Sequence, residues 1–270
     1  TVTEDTSSVV IEVDAFRHPS FSTEQQLRVR AVSGDTDLVS SSSYEVFTED
    51  GLMELLVTPE PNMSGSTEFT LYFENGGLDQ DLSTPTDNES YSDTVSLTIT
   101  PVNDAPVLNP EVSLQLPPLN EDDGIPVGPV GARVSELIDS GGTHNNFSDP
   151  DGDLPGIAIT ATNLQGGTLY YSIDNGLTWT DVGPVTATSA RLLHADDKTR
   201  LAFKPSANFH GSISDVFTFK AWDRSDEHSN GSDSVNTTLS RASTIKWNNN
   251  TSSQTIEDIA LSPDGKTAYV

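Results

Sequence analysis

The chain contains no cysteine and few basic residues, and it lacks long apolar runs. Without cysteine, a disulfide framework and thiol chemistry are excluded. Lysine and arginine together number 13 against 41 aspartates and glutamates, which gives a formal net charge of −28. This charge argues against nucleic acid and anionic membranes as partners, because both are bound through basic patches. No stretch approaches the roughly 20 apolar residues of a membrane span, so membrane insertion is not expected.

The length of 270 residues suffices for about two domains, each able to bury a core without covalent cross-links. The carboxylates are spread over turns, which is not the pattern of an acidic disordered tail. Such a charge increases self-repulsion in the folded state, and bound divalent cations would relieve it. The chain opens without a charged and then apolar leader, and we expect it to be a segment of a longer protein.

A proline-bounded linker over residues 101–106 divides the chain in two. It follows an alternating segment over residues 94–100 that is typical of a half-buried strand. The two prolines fix two φ angles and remove two backbone donors, so the connection is predicted to be extended and stiff. Between them lie Asn103 and Asp104, whose oxygens are ligands of the kind that Ca²⁺ prefers. The alternative is an ordinary proline-bounded turn.

Short runs rich in β-branched and aromatic residues, separated by Ser, Gly, Asp and Pro, occur on both sides of this linker. Helical periodicity is limited to one possible turn over residues 133–138. The sequence therefore predicts an all-β fold of two tandem immunoglobulin-like β-sandwich modules joined by an acidic linker. The first module covers residues 1–104, and the second covers 105–245 and carries insertions. Residues 246–270 form a polar linker and a hairpin.

An internal repeat relates the two modules. A corner of the Pro–Asn–Gly type over residues 59–65 leads into a strand that ends near Glu74, and a corner over 205–211 leads into one that ends at Asp223. Thr3-Glu4-Asp5 and Asn120-Glu121-Asp122 match at the two starts.

The strongest local signal for chemistry is the acidic loop Ser148-Asp149-Pro150-Asp151-Gly152-Asp153. Asp149, Asp151 and Asp153 alternate around a glycine that allows a tight turn, so their oxygens can converge on one hard cation. The loop is not an EF-hand, because its flanks are strands and no glutamate closes a twelve-residue loop. The alternative is a solvated acidic turn. Glu121 and Asp223 are carboxylates at strand ends that a sandwich could bring to the same pole.

Catalysis is not expected within these residues. The five histidines lack the spacing of a zinc site, and no Gly-x-Ser-x-Gly turn or other nucleophile motif is present. Trp179, Trp222 and Tyr170 or Tyr171 are candidates for a sugar-stacking platform, although such aromatics are more often part of a core.

Together, the linker over residues 102–106, the acidic loop and the two Asn-x-x-Gly corners resemble the cadherin-like tandem repeats of large bacterial surface proteins, including RTX-type adhesins. The stretches 171–179 and 219–223 are similar to one widespread subtype of these repeats. The resemblance covers about residues 1–240. Residues 259–270 resemble the first strands of a β-propeller blade of the kind found in surface and lactonase-like proteins.

The resemblance implies sandwiches strung end to end outside the cell, with Ca²⁺ at the module junctions stiffening an extended rod. The residues that match the family's calcium ligands are Asn103 and Asp104 in the linker, Asp149, Asp151 and Asp153 in the acidic loop, the opening Glu121 and the strand-end Asp223. The expected function is that of a calcium-rigidified spacer or adhesion segment of a bacterial cell-surface or secreted protein.

The expected partners are neighbouring repeat modules of the same chain, together with a cell-surface glycan or protein. One alternative is a carbohydrate- or protein-binding module that uses the insertions around residues 144–148 or the hairpin at Trp179. A further alternative is an accessory part of a secreted hydrolase whose catalytic domain lies elsewhere.

Overall fold

The computed structural model describes residues 1–13, 27–40, 44–49, 52–77, 81–83, 86–109, 114–117, 119–120, 122–226, 228–238 and 254–262. Their regular structure is β apart from one 3-10 helix, Val134–Glu136, so the predicted all-β fold is confirmed. The described part contains no helix long and apolar enough to cross a membrane. Two compact units divide the chain, Thr1–Val102 and Asn103–Val270, which we call unit 1 and unit 2.

Unit 1 is a β-sandwich. Its strands are β1 (Val2–Thr3), β2 (Val9–Val13), β3 (Leu27–Ser33), β4 (Tyr44–Glu49), β5 (Leu52–Val57), β6 (Gly65–Asn75) and β7 (Glu89–Thr100). One sheet has the order β1-β7-β6-β3, and a second has the order β2-β5-β4. The first is antiparallel except for the parallel pair of β1 and β7.

The core of unit 1 follows the period of two that its strands show in sequence. On β6, Phe69, Leu71 and Phe73 are buried, whereas the alternate side chains face outward. They belong to one apolar cluster with Leu55 and Val57 of the other sheet, so the two sheets enclose a common core. This arrangement is the one expected of an aligned sandwich.

Unit 2 contains thirteen described strands. They are β8 (Val107–Leu108), β9 (Leu114–Gln115), β10 (Leu119–Asn120), β11 (Ala132–Arg133), β12 (Phe147–Ser148), β13 (Gly156–Thr162), β14 (Thr168–Ser172), β15 (Thr180–Asp181), β16 (Arg191–His194), β17 (Arg200–Lys204), β18 (Gly211–Ile213), β19 (Phe217–Trp222) and β20 (Gln254–Ser262). One sheet has the order β10-β20-β19-β13-β16, with β9 and β18 also paired to β20. A second has the order β11-β17-β14-β15.

The core of unit 2 lies between these two sheets. Ile157, Phe217 and Phe219 of the first sheet share a cluster of buried residues with Leu169 and Leu201 of the second. A smaller cluster lies on the other face of the first sheet, where Trp222 is fully buried with Ala158 and Leu192. Strand β19 therefore contributes side chains to both clusters.

The two units share a sheet order over four positions. β1-β7-β6-β3 in unit 1 corresponds to β10-β20-β19-β13 in unit 2, and β16 is an addition at the far edge. β16 comes from the stretch between β14 and β17, whereas only two residues of sequence separate β4 from β5 in unit 1. The insertions that the sequence indicated in the second module therefore extend one sheet.

The C-terminal segment was predicted to be a linker and a partial propeller-like hairpin. Its described part, β20, pairs with β9, β10, β18 and β19 of unit 2. The rest of the hairpin lies outside the described residues. The domain boundaries taken from the sequence stay predictions.

Candidate metal centre

The acidic loop is organised around Asp149. Its Oδ1 accepts hydrogen bonds from the main-chain N–H of Asp151 at 2.9 Å and of Asp153 at 3.3 Å. The N–H of Gly152 donates to the carbonyl of Asp149 at 3.1 Å, and the φ of Gly152 is +77°, in the region that favours glycine. The sequence Asp-Pro-Asp-Gly-Asp thus folds into a turn that holds its three carboxylates close together.

Burial and mutual repulsion disfavour the charged forms in this loop. Partial burial, with smaller contributions from the charges of Asp153 and Asp223, raises the pKa of Asp149 above its ordinary value despite the two backbone donors. Burial and then the charges of Asp223 and Asp151 raise the pKa of Asp153 as well. Oδ2 of Asp149 is buried and accepts no hydrogen bond from the part of the protein that the structure describes.

Asp223 joins the loop from the end of β19. Its side chain is only 1% exposed, and its Oδ1 accepts hydrogen bonds from the N–H and the hydroxyl of Ser225. Its Oδ2 accepts a 2.9 Å hydrogen bond from the side-chain amide of Asn103. The packing of β19 in the sheet therefore fixes one carboxylate, and that carboxylate holds the first residue of unit 2.

Asp104 approaches the same loop from the linker. Its main-chain N–H donates to Oδ2 of Asp151 at 2.6 Å, and a carboxylate oxygen of Asp104 lies within 4.8 Å of one of Asp151. The side-chain amide of Asn103 also donates to the carbonyl of Asp104 at 3.3 Å. Of the two linker residues that the sequence singled out, Asp104 thus contacts the acidic loop directly, and Asn103 contacts Asp223 and Asp104.

Six predicted ligands form one connected network within unit 2: Asn103, Asp104, Asp149, Asp151, Asp153 and Asp223. Glu121, the remaining predicted ligand, lies outside the described residues. Among the ion pairs of the described residues, none joins a lysine or arginine to Asp149, Asp151, Asp153 or Asp223. That these residues bind Ca²⁺ stays a prediction.

The donor set fits a hard cation. Carboxylate and amide oxygens without thiolate or imidazole are the ligands of Ca²⁺, which takes six to eight oxygens in flexible geometry. A cation would supply a partner to the buried Oδ2 of Asp149, and it would offset the burial and the mutual repulsion that together raise the pKa values of Asp149 and Asp153. The group that would fit here is therefore Ca²⁺ rather than a transition metal.

A cavity of about 360 Å³ adjoins the acidic loop, and no pattern in the sequence indicates it. Asp149 and Asp153 line it together with Asp139, Phe147 and Leu154. Asp139 has a structural task, because its carboxylate accepts hydrogen bonds from the N–H groups of residues 142, 144 and 145. Although slight burial acts to raise it, these donors hold the pKa of Asp139 below its ordinary value.

The strand end of unit 1 differs from the sequence prediction. Asn75, not Glu74, has the place that Asp223 has in unit 2. Both side chains are about 1% exposed, and each Oδ1 accepts the N–H two residues further on, of Gly77 and Ser225. Unit 1 therefore has an uncharged amide at this position. At its start, the buried carboxylate of Glu4 accepts a hydrogen bond from the N–H of Val102.

The aromatic residues do not form an open platform. Trp222 is fully buried in the core, and Tyr171 is buried as well. Trp179 is half-buried, and its indole N–H donates to the carbonyl of Gly128 at 3.2 Å. The hairpin that carries it forms as predicted, because β14 pairs with β15 and both Asn175 and Gly176 have positive φ.

No protein-family model matches this chain, and no curated protein sequence matches it either. Among solved structures, the chain is similar to "Protocadherin Gamma B2 extracellular cadherin domains 3-6", with 15% sequence identity and a TM-score of 0.38. The match covers 83% of this chain and 47% of that chain, so this chain spans about half the length of that structure. The fold described above rests on its own strands and sheets.

Proposed function

We propose that this chain is a calcium-rigidified spacer or adhesion segment of a bacterial cell-surface or secreted protein, located outside the cell. The observation that supports it is the convergence of Asp104, Asp149, Asp151 and Asp223 in one network without a basic ion-pair partner for the last three among the described residues. We propose no catalytic role for these residues.

The proposed ligands are the oxygens of Asn103, Asp104, Asp149, Asp151, Asp153, Glu121 and Asp223. Ca²⁺ supplies two positive charges. Its affinity would be higher for the folded state, in which these carboxylates lie close together, than for any state in which they are apart. The gain in stability is RT ln(1 + [L]/Kd). The chain's own residues hold the loop in place through the backbone hydrogen bonds to Asp149 and through the position of Asp223 at the end of β19.

The spacer property follows from the position of two ligands in the chain. Asn103 and Asp104 directly follow Val102, the last residue of unit 1. Fixing them against the acidic loop removes conformational freedom from a linker that its prolines already stiffen. Removal of the ion would return that freedom and restore the repulsion among the carboxylates. Neighbouring repeat modules would then be the first partners of the chain.

Thermal melts of the full chain in millimolar CaCl₂, in MgCl₂ and in EGTA test the metal site. We expect Tm to rise by about 5 to 10 °C when Ca²⁺ exceeds Kd about a hundredfold. Mg²⁺ should give a much smaller shift, because it demands octahedral geometry and keeps its waters. Equal Tm values in CaCl₂ and EGTA would contradict the metal site. Small-angle scattering of the full chain tests the spacer property. Superimposable profiles with and without Ca²⁺ would contradict rigidification even if Tm rises.

A second candidate, a protein-binding module, is favoured by an apolar groove in unit 2. Ile125, Val127, Val130 and Phe203 line a cavity of about 260 Å³, and Val127 is 82% exposed. Exposed apolar patches of this kind are typical of interaction sites. Because Trp179 holds Gly128 in this loop, Trp179→Ala should abolish binding of a partner there while the sandwich stays folded. The test is a screen of the unchanged protein and of this variant against glycans and surface proteins. If no ligand binds the unchanged protein but not the variant, this candidate is excluded.

A further inference from the structure

Two histidines that are distant in sequence lie in neighbouring segments of unit 2. His194 is the last residue of β16, and His228 lies in the segment that follows β19. The side chain of Asn230 joins the two segments, because its Oδ1 accepts the main-chain N–H of His194 at 2.9 Å. No spacing in the sequence indicates this pair, since its members come from separate strand ends.

Asp226 and His228 are in direct contact. The side chain of Asp226 is only 3% exposed, and its Oδ1 accepts the main-chain N–H of His228 at 2.9 Å. Its Oδ2 lies 3.0 Å from Nδ1 of His228, yet it accepts no hydrogen bond from the residues that the structure describes. The two atoms are therefore close without being aligned for a hydrogen bond. Ligand atoms that share one tetrahedral Zn²⁺, each at about 2.0 Å from the ion, lie roughly 3.3 Å apart.

His194 offers an uncharged ring beside this contact. Its main-chain N–H is bonded, whereas neither ring nitrogen makes a hydrogen bond with the described residues. Burial, and then the charge of Arg224, lower the pKa of His194 below its ordinary value, although the charges of Asp196 and Asp226 act to raise it. The ring is therefore neutral at neutral pH, which is the form that binds a metal ion.

Two neighbours orient the ring of His194. Trp222 contacts it at a centroid distance of 5.4 Å across Gly156, which lies opposite both residues in the sheet. Asp196 is held by two main-chain N–H groups that donate to its Oδ1, and its Oδ2 faces Nδ1 of His194 at 3.9 Å. A carboxylate near one ring nitrogen is the usual companion of a histidine that binds a metal through the other, so Nε2 of His194 is the nitrogen available to an ion.

We propose that His194, Asp226 and His228 bind one Zn²⁺ ion, with water in the fourth position, at a site separate from the calcium network. Imidazole and carboxylate together suit Zn²⁺, whereas Ca²⁺ takes oxygen ligands only. Asp226 and His228 are already in contact, and an ion would give the buried Oδ2 of Asp226 its partner. The ring of His194 rotates to complete the site, because the three ligand atoms do not lie within 4.8 Å of one another before binding.

Isothermal titration of the full chain, without a histidine tag, with ZnCl₂ tests this site. Millimolar CaCl₂ is included so that Zn²⁺ does not occupy the acidic loop. His228→Ala should weaken Zn²⁺ binding at least about tenfold. The matched control is His210→Ala, because His210 is an exposed histidine of the same unit outside the group, and it should change the affinity less than about twofold. Equal affinities in the two variants overturn the proposal, and so does the absence of binding below about 100 μM Zn²⁺.

Two further variants separate this site from the acidic loop. Asp151→Asn should leave Zn²⁺ affinity unchanged, and a loss of binding in this variant would place the ion on the acidic loop and overturn the proposal. Arg224→Asn should tighten binding severalfold, because it removes the positive charge that acts on His194, and asparagine tolerates the φ of +60° at this position. Unchanged or weaker binding in Arg224→Asn would contradict the site.

NMR signals of the ring nitrogens identify the ligands directly. Zn²⁺ should shift the signals of both His194 and His228 and leave those of His210 in place. A shift of His228 alone would mean that a single surface histidine holds the ion, and this result overturns the proposal.

Discussion

The main-chain N–H of Asp104 donates a 2.6 Å hydrogen bond to Oδ2 of Asp151, 47 residues further along the chain. This bond joins the start of unit 2 to its acidic loop, while the N–H of Asp151 itself donates to Asp149. Asp151 therefore connects the linker to the residue that organises the loop. A change at Asp151 should affect the linker and the loop together.

Asp151→Asn should reduce the calcium-dependent rise in Tm. Asparagine keeps an oxygen that accepts the N–H of Asp104, but it removes one negative charge from the proposed ligand set, so Ca²⁺ affinity should fall by about tenfold or more. Melts over a series of CaCl₂ concentrations measure the change. Asp197→Asn is the matched control, because Asp197 is an exposed carboxylate of the same unit outside the network. Equal calcium shifts in both variants would exclude Asp151 as a ligand.

Asp223→Asn should have effects of opposite sign with and without calcium. Burial raises the pKa values of Asp149 and Asp153, and repulsion from Asp223 adds to it; in EGTA, loss of this buried charge relieves that repulsion, so Tm should rise. In CaCl₂ a ligand charge is lost, so Tm should fall below that of the unchanged protein. Unit 1 shows that an amide is compatible with this position, because Asn75 holds the equivalent hydrogen bond.

The contact to Asn103 can be kept in this variant if the amide of Asn103 rotates. Its oxygen then accepts from the new amide nitrogen, while the new amide oxygen still accepts from Ser225. A fall in Tm under both conditions would mean that Asp223 acts through packing and hydrogen bonding rather than through its charge. Melts of both proteins in EGTA and in CaCl₂ therefore separate the two roles.

The sequence predicted the all-β fold and the members of the acidic network better than it predicted their equivalents in unit 1. Strand periodicity and oxygen-rich turns are local signals, and the folded structure contains the strands and the turn that they predict. The equivalence of position between Asn75 in unit 1 and Asp223 in unit 2 has no such local signal. The spacing from the Asn-x-x-Gly corner to the strand end differs by two residues between the units. Only burial and the hydrogen bonds to Gly77 and Ser225 reveal it.

Other features depend on long-range pairing and have no local signal. The cavity beside Asp149 follows from the packing of residues 135–155 with Ala195, which no short stretch of sequence indicates. The buried Trp222 was a candidate for sugar binding in the sequence, since composition does not distinguish a core aromatic from an exposed one.

Asp174 should titrate well below an ordinary aspartate. The hydroxyl of Thr178, its N–H and the hydroxyl of Ser172 donate to the carboxylate and lower the pKa of Asp174 from 3.8 to about 2. A carboxyl whose pKa is depressed in the folded state stabilises the fold above its unfolded pKa, and this contribution is lost as pH falls from 3.8 towards about 2. Thr178→Val should return the pKa towards 3.8, whereas Thr178→Ser should keep it low. Carbon-detected NMR titration of Asp174 measures both, and identical pKa values in the two variants would contradict the role of the hydroxyl.

The repeated corner gives a test of backbone conformation. Asn208 has a φ of +57°, and its N–H donates to Oδ1 of Asp122 at 2.8 Å. Asn62 repeats this arrangement with Asp5 in unit 1. Asn208→Ala should lower the free energy of unfolding by about 1 kcal/mol, because a Cβ disfavours the left-handed region, and Asn208→Gly should be nearly neutral.

Asp122→Ala should cost about 1 kcal/mol by a separate route, the loss of an acceptor for the N–H of Asn208. Because alanine at 208 keeps that N–H, the double variant measures how far the two costs are coupled. Urea unfolding followed by tryptophan fluorescence measures them in unit 2, since all three tryptophans lie after residue 102. Asn62→Ala provides the matched change in unit 1, where circular dichroism reports it. If Asn208→Gly destabilises as much as Asn208→Ala, the side-chain amide rather than the positive φ explains the asparagine at this corner.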